Sequence, residues 1–144
     1  MSYTYKYPRP TVTADCVVIT HKAEPRVLFI KRGGEPFKDC WAIPGGFMEK
    51  GETTEQCAVR ELKEETSIVI SDLHQIGVHS NVDRDPLGRT VSVAYLAITD
   101  KIQIAVGQDD AAEVKRWLLT ALPEMAFGHD DIMRDVVRLY QNLS

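Results

Sequence analysis

The sequence predicts an α/β fold with a mixed sheet and at least two helices. Three observations carry this. Several short segments alternate apolar and polar residues with period two, as in Thr11 to Thr20. Thr53 to Thr66 contains no Gly or Pro and has helical periodicity, and His129 to Leu143 repeats that pattern. The segments are interleaved as strands, helix, strands, helix, without repeats or a linker, which indicates one domain over residues 1–144.

Each element follows from its residues. Val12, Ala14, Cys16 and Val18 alternate with Thr11, Thr13 and Asp15, giving a first strand. Val27 to Ile30 lies between Pro25 and the Gly33-Gly34 turn and predicts a second. Trp41 to Ile43 predicts a third, closed by Pro44-Gly45-Gly46. In the first helix Ala58, Val59, Leu62 and Thr66 share the core-facing arc. Ile76, Val78, Ser80 and Val82 share one parity, and Val91, Val93, Tyr95 and Ala97 another, so two more strands flank the loop Asp83 to Gly88. Ile102 to Val106 and Val114 to Leu119 are candidate short strands. In the last helix Ile132, Val136, Leu139 and Leu143 are spaced to face a core, and Asp130 and Asp131 suit its first turn.

Composition bounds the function. The chain of 144 residues is 44% hydrophobic and 26% charged, with a formal net charge of −4. Bulk attraction to nucleic acid is therefore not expected, although locally placed cations or a metal would accept an anionic small molecule. No apolar run approaches the roughly 20 residues of a membrane span, and Met1 to Pro10 lacks a signal-peptide core. Cys16, Cys40 and Cys57 form no C-x-x-C pair, which argues for a reducing compartment, with the cytoplasm as the expectation.

The chemistry concentrates in the first helix. Glu61, Glu64 and Glu65 stand at i, i+3 and i+4, within one arc of the helix. Like charges at this spacing repel. A divalent cation removes the penalty, since hard ions take several converging carboxylate oxygens. A Glu-Glu pair alone is usually a solvated face. Its neighbours change that: Gly45-Gly46 permits close backbone approach, Glu52 is placed at the helix start to favour its N–H groups, and Arg60 is placed to orient a neighbouring carboxylate.

Gly46, Glu52, Arg60-Glu61-Leu62, Glu64-Glu65 and Ile68 together resemble the Nudix box, G-x5-E-x7-R-E-U-x-E-E-x-G-U, with U a bulky aliphatic residue. Trp41-Ala42-Ile43-Pro44-Gly45 resembles the family's approach to it. The resemblance implies an α/β/α sandwich with a mixed sheet and a hydrolase acting on a nucleoside diphosphate linked to another group. It implies that Glu61, Glu64 and Glu65, with the Gly45 carbonyl, hold Mg²⁺ or Mn²⁺. The general base varies across the family, so Glu61 or Glu64 is one candidate, and an acid beyond the box, Glu113 first and Asp110 second, is the other. Ser67 departs from the pattern, where Gly supplies a left-handed helix end; a non-Gly residue there costs about 1 kcal/mol.

Substrate recognition must lie elsewhere. Asp83 to Ser92, and later Leu122-Pro123 and Ala126 to Asp130, resemble ADP-ribose pyrophosphatase-like Nudix proteins. Arg84 and Arg89 are candidate clamps for a phosphate or the terminal ribose, against the plainer reading of two solvated arginines on an Asp85-Pro86 turn. Arg32 and Gly46 are further substrate-binding candidates, with Phe37 or Phe47 for stacking on the base, although aromatics beside Gly turns more often pack. His79 and His129 read as structural, and Trp117 as core.

Three activities fit. The first is cleavage of ADP-ribose to AMP and ribose 5-phosphate. The second is a MutT-type pyrophosphohydrolase of nucleoside triphosphates, oxidised ones included. The third is a non-catalytic nucleotide sensor, disfavoured by the intact glutamate set and by the expectation that no room remains for a DNA-binding domain. The expected partner is a nucleotide, without nucleic acid or membrane, and a homodimer follows by analogy with the subgroup.

Overall fold

Sheet order is the feature that shapes this molecule. The computed structural model describes residues 4–7, 9–82, 85–86, 88–107 and 111–143, except the side chain at 112. Its described elements are β1 (Thr11–Thr20), β2 (Arg26–Arg32), β3 (Trp41–Ala42), β4 (Gly45–Phe47), α1 (Thr54–Thr66), β5 (His74–His79), β6 (Thr90–Thr99), β7 (Ala111–Leu118) and α2 (His129–Leu143). The strands form one sheet in the order β3-β2-β1-β6-β5, with β4 beside β1 and β7 beside β2. β1 and β6 are parallel and the other pairs antiparallel, so the sheet is mixed.

Both faces of the sheet are covered. On one, Val17, Ile19, Phe29 and Leu96 pack against Ile132, Met133 and Val136 of α2. On the other, Cys16, Val18, Leu28 and Tyr95 pack against Cys57, Ala58 and Leu62 of α1. This is the expected α/β/α sandwich. Each fully buried Leu, Ile or Phe contributes about 1.5–3 kcal/mol. Two-sided burial also explains why β1 is buried continuously from Ala14 to Thr20 instead of presenting one polar face.

Several expected boundaries move. Gly45-Gly46 is a strand, because β1 offers Asp15 and Ala14 as backbone partners. Ile102 to Val106 forms no strand. Gln103 bonds the Val69 N–H at 3.1 Å and the Val69 carbonyl at 3.0 Å, while Ile102, Ile104 and Val106 stay exposed. β5 ends at His79, leaving Ser80 and Val82 outside it. Among the described residues, no helix is long and apolar enough to cross a membrane.

α1 begins with a capping box: Thr53 Oγ1 accepts from Gln56 N–H at 3.1 Å, and Gln56 Oε1 accepts from Thr53 N–H at 2.9 Å. Its core arc includes Cys57, while Val59 is only half-buried. At its far end Ser67 adopts φ 68°, ψ 3°, and its N–H donates to Lys63 O at 2.9 Å. The left-handed cap therefore persists without glycine. Ser67→Gly is expected to stabilise the fold by about 1 kcal/mol, read as a melting temperature raised by roughly 2–4 °C. A lowered melting temperature would contradict this account of the cap.

Candidate active site

β1 is forked along one edge. Ile19 and Thr20 pair with β2, whereas Thr13, Ala14 and Asp15 pair with β4. Residues 43 and 44 cross the fork between β3 and β4. Cys16 N–H donates to Pro44 O at 2.9 Å, and Ile43 N–H donates to His129 Nδ1 at 3.0 Å. A cleft of about 900 Å³ opens here, lined among others by Arg32, Gly45, Gly46, Glu61, Glu64 and Glu65.

The glycines are required by close approach. A Cβ on Gly46 would lie 2.5 Å from the Glu61 carboxyl carbon, and one on Gly45 would lie 2.1 Å from Asp15 Oδ1. Only residues without a side chain let the α1 carboxylate and β1 come this near to β4.

Arg60 organises the acidic residues. Its Nε donates to Glu52 Oε2 at 2.9 Å and its Nη2 to Glu52 Oε1 at 2.7 Å, a bidentate pair. Its Nη1 donates to Glu61 Oε1 at 2.9 Å and Glu64 Oε2 at 3.1 Å, and its Nη2 to Phe47 O at 3.1 Å. Hydrogen bonds from Arg60, then one from the Glu49 N–H, lower the Glu52 carboxyl to about 2. Bonds to Glu52 and Glu61 raise the Arg60 pKa. Glu52 thus holds Arg60 and Glu49 N–H; the helix N-terminus is capped by Thr53 instead.

Glu65 is the buried member of the three glutamates: it is 7% exposed, and its Oε1 accepts from Gly45 N–H at 2.8 Å. At 100° per residue it falls between Cys57 and Ala58 on the buried arc. The Glu61 side chain is 17% exposed and that of Glu64 46%.

Among the described residues, no three His, Cys, Asp or Glu side chains already converge as a cation site. Arg60 draws Glu61 and Glu64 towards itself, and Gly45 draws Glu65. The donor chemistry nevertheless fits a hard divalent cation, with three carboxylates and the Gly45 backbone lining one cleft. The cradle in which Gly46 admits the Glu61 carboxylate supports the same fit.

Arg32 is in the cleft, with Nε donating to Pro36 O at 2.8 Å and its guanidinium 4.6 Å from the Phe127 ring centroid. Phe47 is also there, 59% exposed. Phe37 packs edge-on against Phe127 at 4.9 Å. Arg89 is exposed and not among the lining residues; its carbonyl accepts from Thr11 N–H at 3.0 Å. Glu113 is exposed on β7 opposite Lys31, also outside the cleft lining. Arg84 and Asp110 lie outside the described residues. Trp117 is half-buried, edge-on to Trp41 at 5.1 Å.

Thr13 and Asp15 line the cleft without having been candidates, and Asp85, Thr90, Ser92 and Phe127 do so from within the two segments whose resemblance pointed to substrate recognition. His129, read from the sequence as merely structural, lines the cleft as well. Because Nδ1 accepts from Ile43, a neutral His129 carries its proton on Nε2, which lies 4.0 Å from Asp15 Oδ2. A buried carboxylate in an apolar strand was the available signal for Asp15. Burial pushes the Cys16 and Cys57 thiols up to about 12, so neither is a ready nucleophile.

The family model for the NUDIX domain matches residues 9–140. The ADP-ribose pyrophosphatase of Methanocaldococcus jannaschii is 39% identical over 132 residues, 92% of this chain and 76% of that protein. Among solved structures, the Nudix domain of NrtR from Shewanella oneidensis, complexed with ADP ribose, superposes with a TM-score of 0.86 at 29% identity, covering 99% of this chain and 94% of that one. A bifunctional NMN adenylyltransferase/ADP ribose pyrophosphatase from Francisella tularensis, complexed with AMP and a manganese ion, gives 0.81 at 30% identity, covering 93% of this chain and 43% of that one. With its glutamate helix, its glycine cradle and a family match over nearly its whole length, the chain belongs to the Nudix family.

Proposed function

We infer that this chain hydrolyses ADP-ribose to AMP and ribose 5-phosphate with the help of a divalent cation, Mg²⁺ or Mn²⁺. The observation that carries the reading is the cleft in which Glu61, Glu64 and Glu65 flank the Gly45-Gly46 strand. Similarity to an ADP-ribose pyrophosphatase and to an ADP ribose complex supports the choice of substrate. Glu61, Glu64, Glu65 and the Gly45 carbonyl would hold the cation. When bound, it would screen the diphosphate, lower the pKa of water and stabilise the leaving oxygen.

The chain's own residues supply orientation. Gly45 N–H holds Glu65, and Arg60 holds Glu61 and Glu64, so each carboxylate rests at a fixed point of the cleft wall from which it would turn to an arriving cation. Of the base candidates, Glu64 has the more open side chain and hence the readier access to water, while Glu113 lies outside the cleft. Arg32 would meet phosphate or base, with Phe127 beside it as an apolar platform.

With Mg²⁺, purified protein is expected to turn over ADP-ribose faster than any common dNTP, measured by chromatography of AMP and dNMP. Preference for a triphosphate would instead establish the MutT-type activity. Tight nucleotide binding without turnover of any diphosphate would establish the sensor.

A further inference from the structure

One strip of the cleft is unexplained by diphosphate chemistry. On the α2 side of β1 and β6, registered pairs run Thr11–Thr90, Thr13–Ser92, Asp15–Ala94 and Val17–Leu96. The core begins only at the last two of these rows; the first two carry hydroxyls on both strands. On the opposite face the same stretch reads Val12–Val91, Ala14–Val93 and Cys16–Tyr95, with no such change. Strand ends meeting water would be polar on both faces, so the strip belongs to the cleft side alone.

The strip is a connected polar surface. Thr13 Oγ1 and Ser92 Oγ are 2.6 Å apart, Thr90 Oγ1 donates to Asp85 Oδ2 at 2.8 Å, and Thr11 Oγ1 lies 3.3 Å from Thr90 Oγ1. Ser92 is 1% and Thr90 5% exposed, yet both line the cleft with Thr13 and Asp85. Asp85 is presented by a turn in which Gly88 N–H reaches Asp85 O at 3.4 Å.

Sheet order gives this surface its place. From β2 to β6 the cleft passes Arg32, then the β4 strand with Gly46 beside Glu61, then β1 and β6 with Thr13, Ser92 and Thr90. A base on the Phe127 and Arg32 side, with the diphosphate at the glutamates, leaves the far group over the hydroxyl strip. A carboxylate accepts hydrogen bonds from hydroxyls and repels phosphate, while Ser and Thr hydroxyls both donate and accept. Dinucleotide-binding folds use an acidic side chain on a ribose hydroxyl in the same way.

We propose that Asp85, Thr90, Ser92 and Thr13 form a subsite for a vicinal diol, taking the sugar attached to the second phosphate. This rests on the ADP-ribose reading and deepens it. The subsite favours a neutral polyhydroxylated ring and disfavours a terminal phosphate, which would meet Asp85.

The test compares ADP-ribose with the methyl ester of ADP, which keeps the diphosphate bridge and lacks the second sugar. In wild-type protein kcat/KM should favour ADP-ribose. Asp85→Asn and Ser92→Ala should each reduce that preference by about tenfold, through a raised KM for ADP-ribose. Circular dichroism and melting curves establish that the variants fold. An unchanged preference would overturn the subsite, as would equal losses on both substrates. Calorimetry with ADP-ribose and ADP separates this from the hydrolytic reading. Tighter binding of ADP-ribose that Asp85→Asn abolishes upholds the subsite even without turnover. Equal wild-type affinity for the two would reject it, whatever the activity.

Discussion

Glu65→Gln is expected to lower kcat for ADP-ribose by about 10³-fold while leaving the melting temperature unchanged or slightly raised. The activity loss follows from the proposed role of Glu65 as one charged donor to a cation, which would supply several kcal/mol of transition-state stabilisation, at 1.4 kcal/mol per decade. The stability follows from burial. Glu65 is 7% exposed, and glutamine keeps the Oε1 acceptor for Gly45 N–H while removing a charge that is costly to bury. Steady-state kinetics across Mg²⁺ concentrations with a thermal melt decide the matter. A variant keeping a tenth or more of wild-type kcat would show that Glu65 is not a cation ligand.

Gly45→Ala should instead strike the fold. Its Cβ would lie 2.1 Å from Asp15 Oδ1, 2.5 Å from Ala14 O and 2.8 Å from Asp15 Cα. Two of these neighbours are main-chain atoms of β1 and cannot yield without breaking the register. Overpacking of this kind costs about 1–3 kcal/mol, and the rigid neighbours put this site at the upper end, a drop of roughly 10 °C in melting temperature. Gly46→Ala is the informative contrast. Its Cβ meets the far end of the Glu61 side chain, which can move, so that variant should melt near wild type and lose turnover. If both variants melt alike, the glycines do not divide fold from site in this way.

Local features were legible because they depend on neighbours in sequence. The periodicity of α2, the spacing of Glu61, Glu64 and Glu65, and the departure at Ser67 all belong to this class. Features set by distant strands were not. Gly45-Gly46 reads as a turn until β1 supplies partners, and the alternation of Ile102 to Val106 suggests a strand until Gln103 takes the backbone groups of Val69. Glu65 falls on the buried arc between Cys57 and Ala58, but its bond to Gly45 N–H on β4 is set by tertiary packing that the helix pattern does not contain. Phe127 and His129 reach the cleft from the far end of the chain; resemblance marked their segment, but no local pattern says which of its side chains enter the cleft. The position of the candidate base Glu113 was hidden for the same reason: strand pairing sets it opposite Lys31, outside the cleft lining.

Arg60 joins Glu52, Glu61 and Glu64 through hydrogen bonds that need no bound ion. The helix therefore carries its own internal counter-charge, and the acidic cluster is tolerable before any metal arrives. In this respect the protein is unlike small zinc modules, whose folding and metal uptake are a single event. Here assembly of the scaffold and loading of the ion are separable, and an arriving cation competes with a guanidinium rather than with water alone. Any ion the site takes would then bind to a scaffold that is already built.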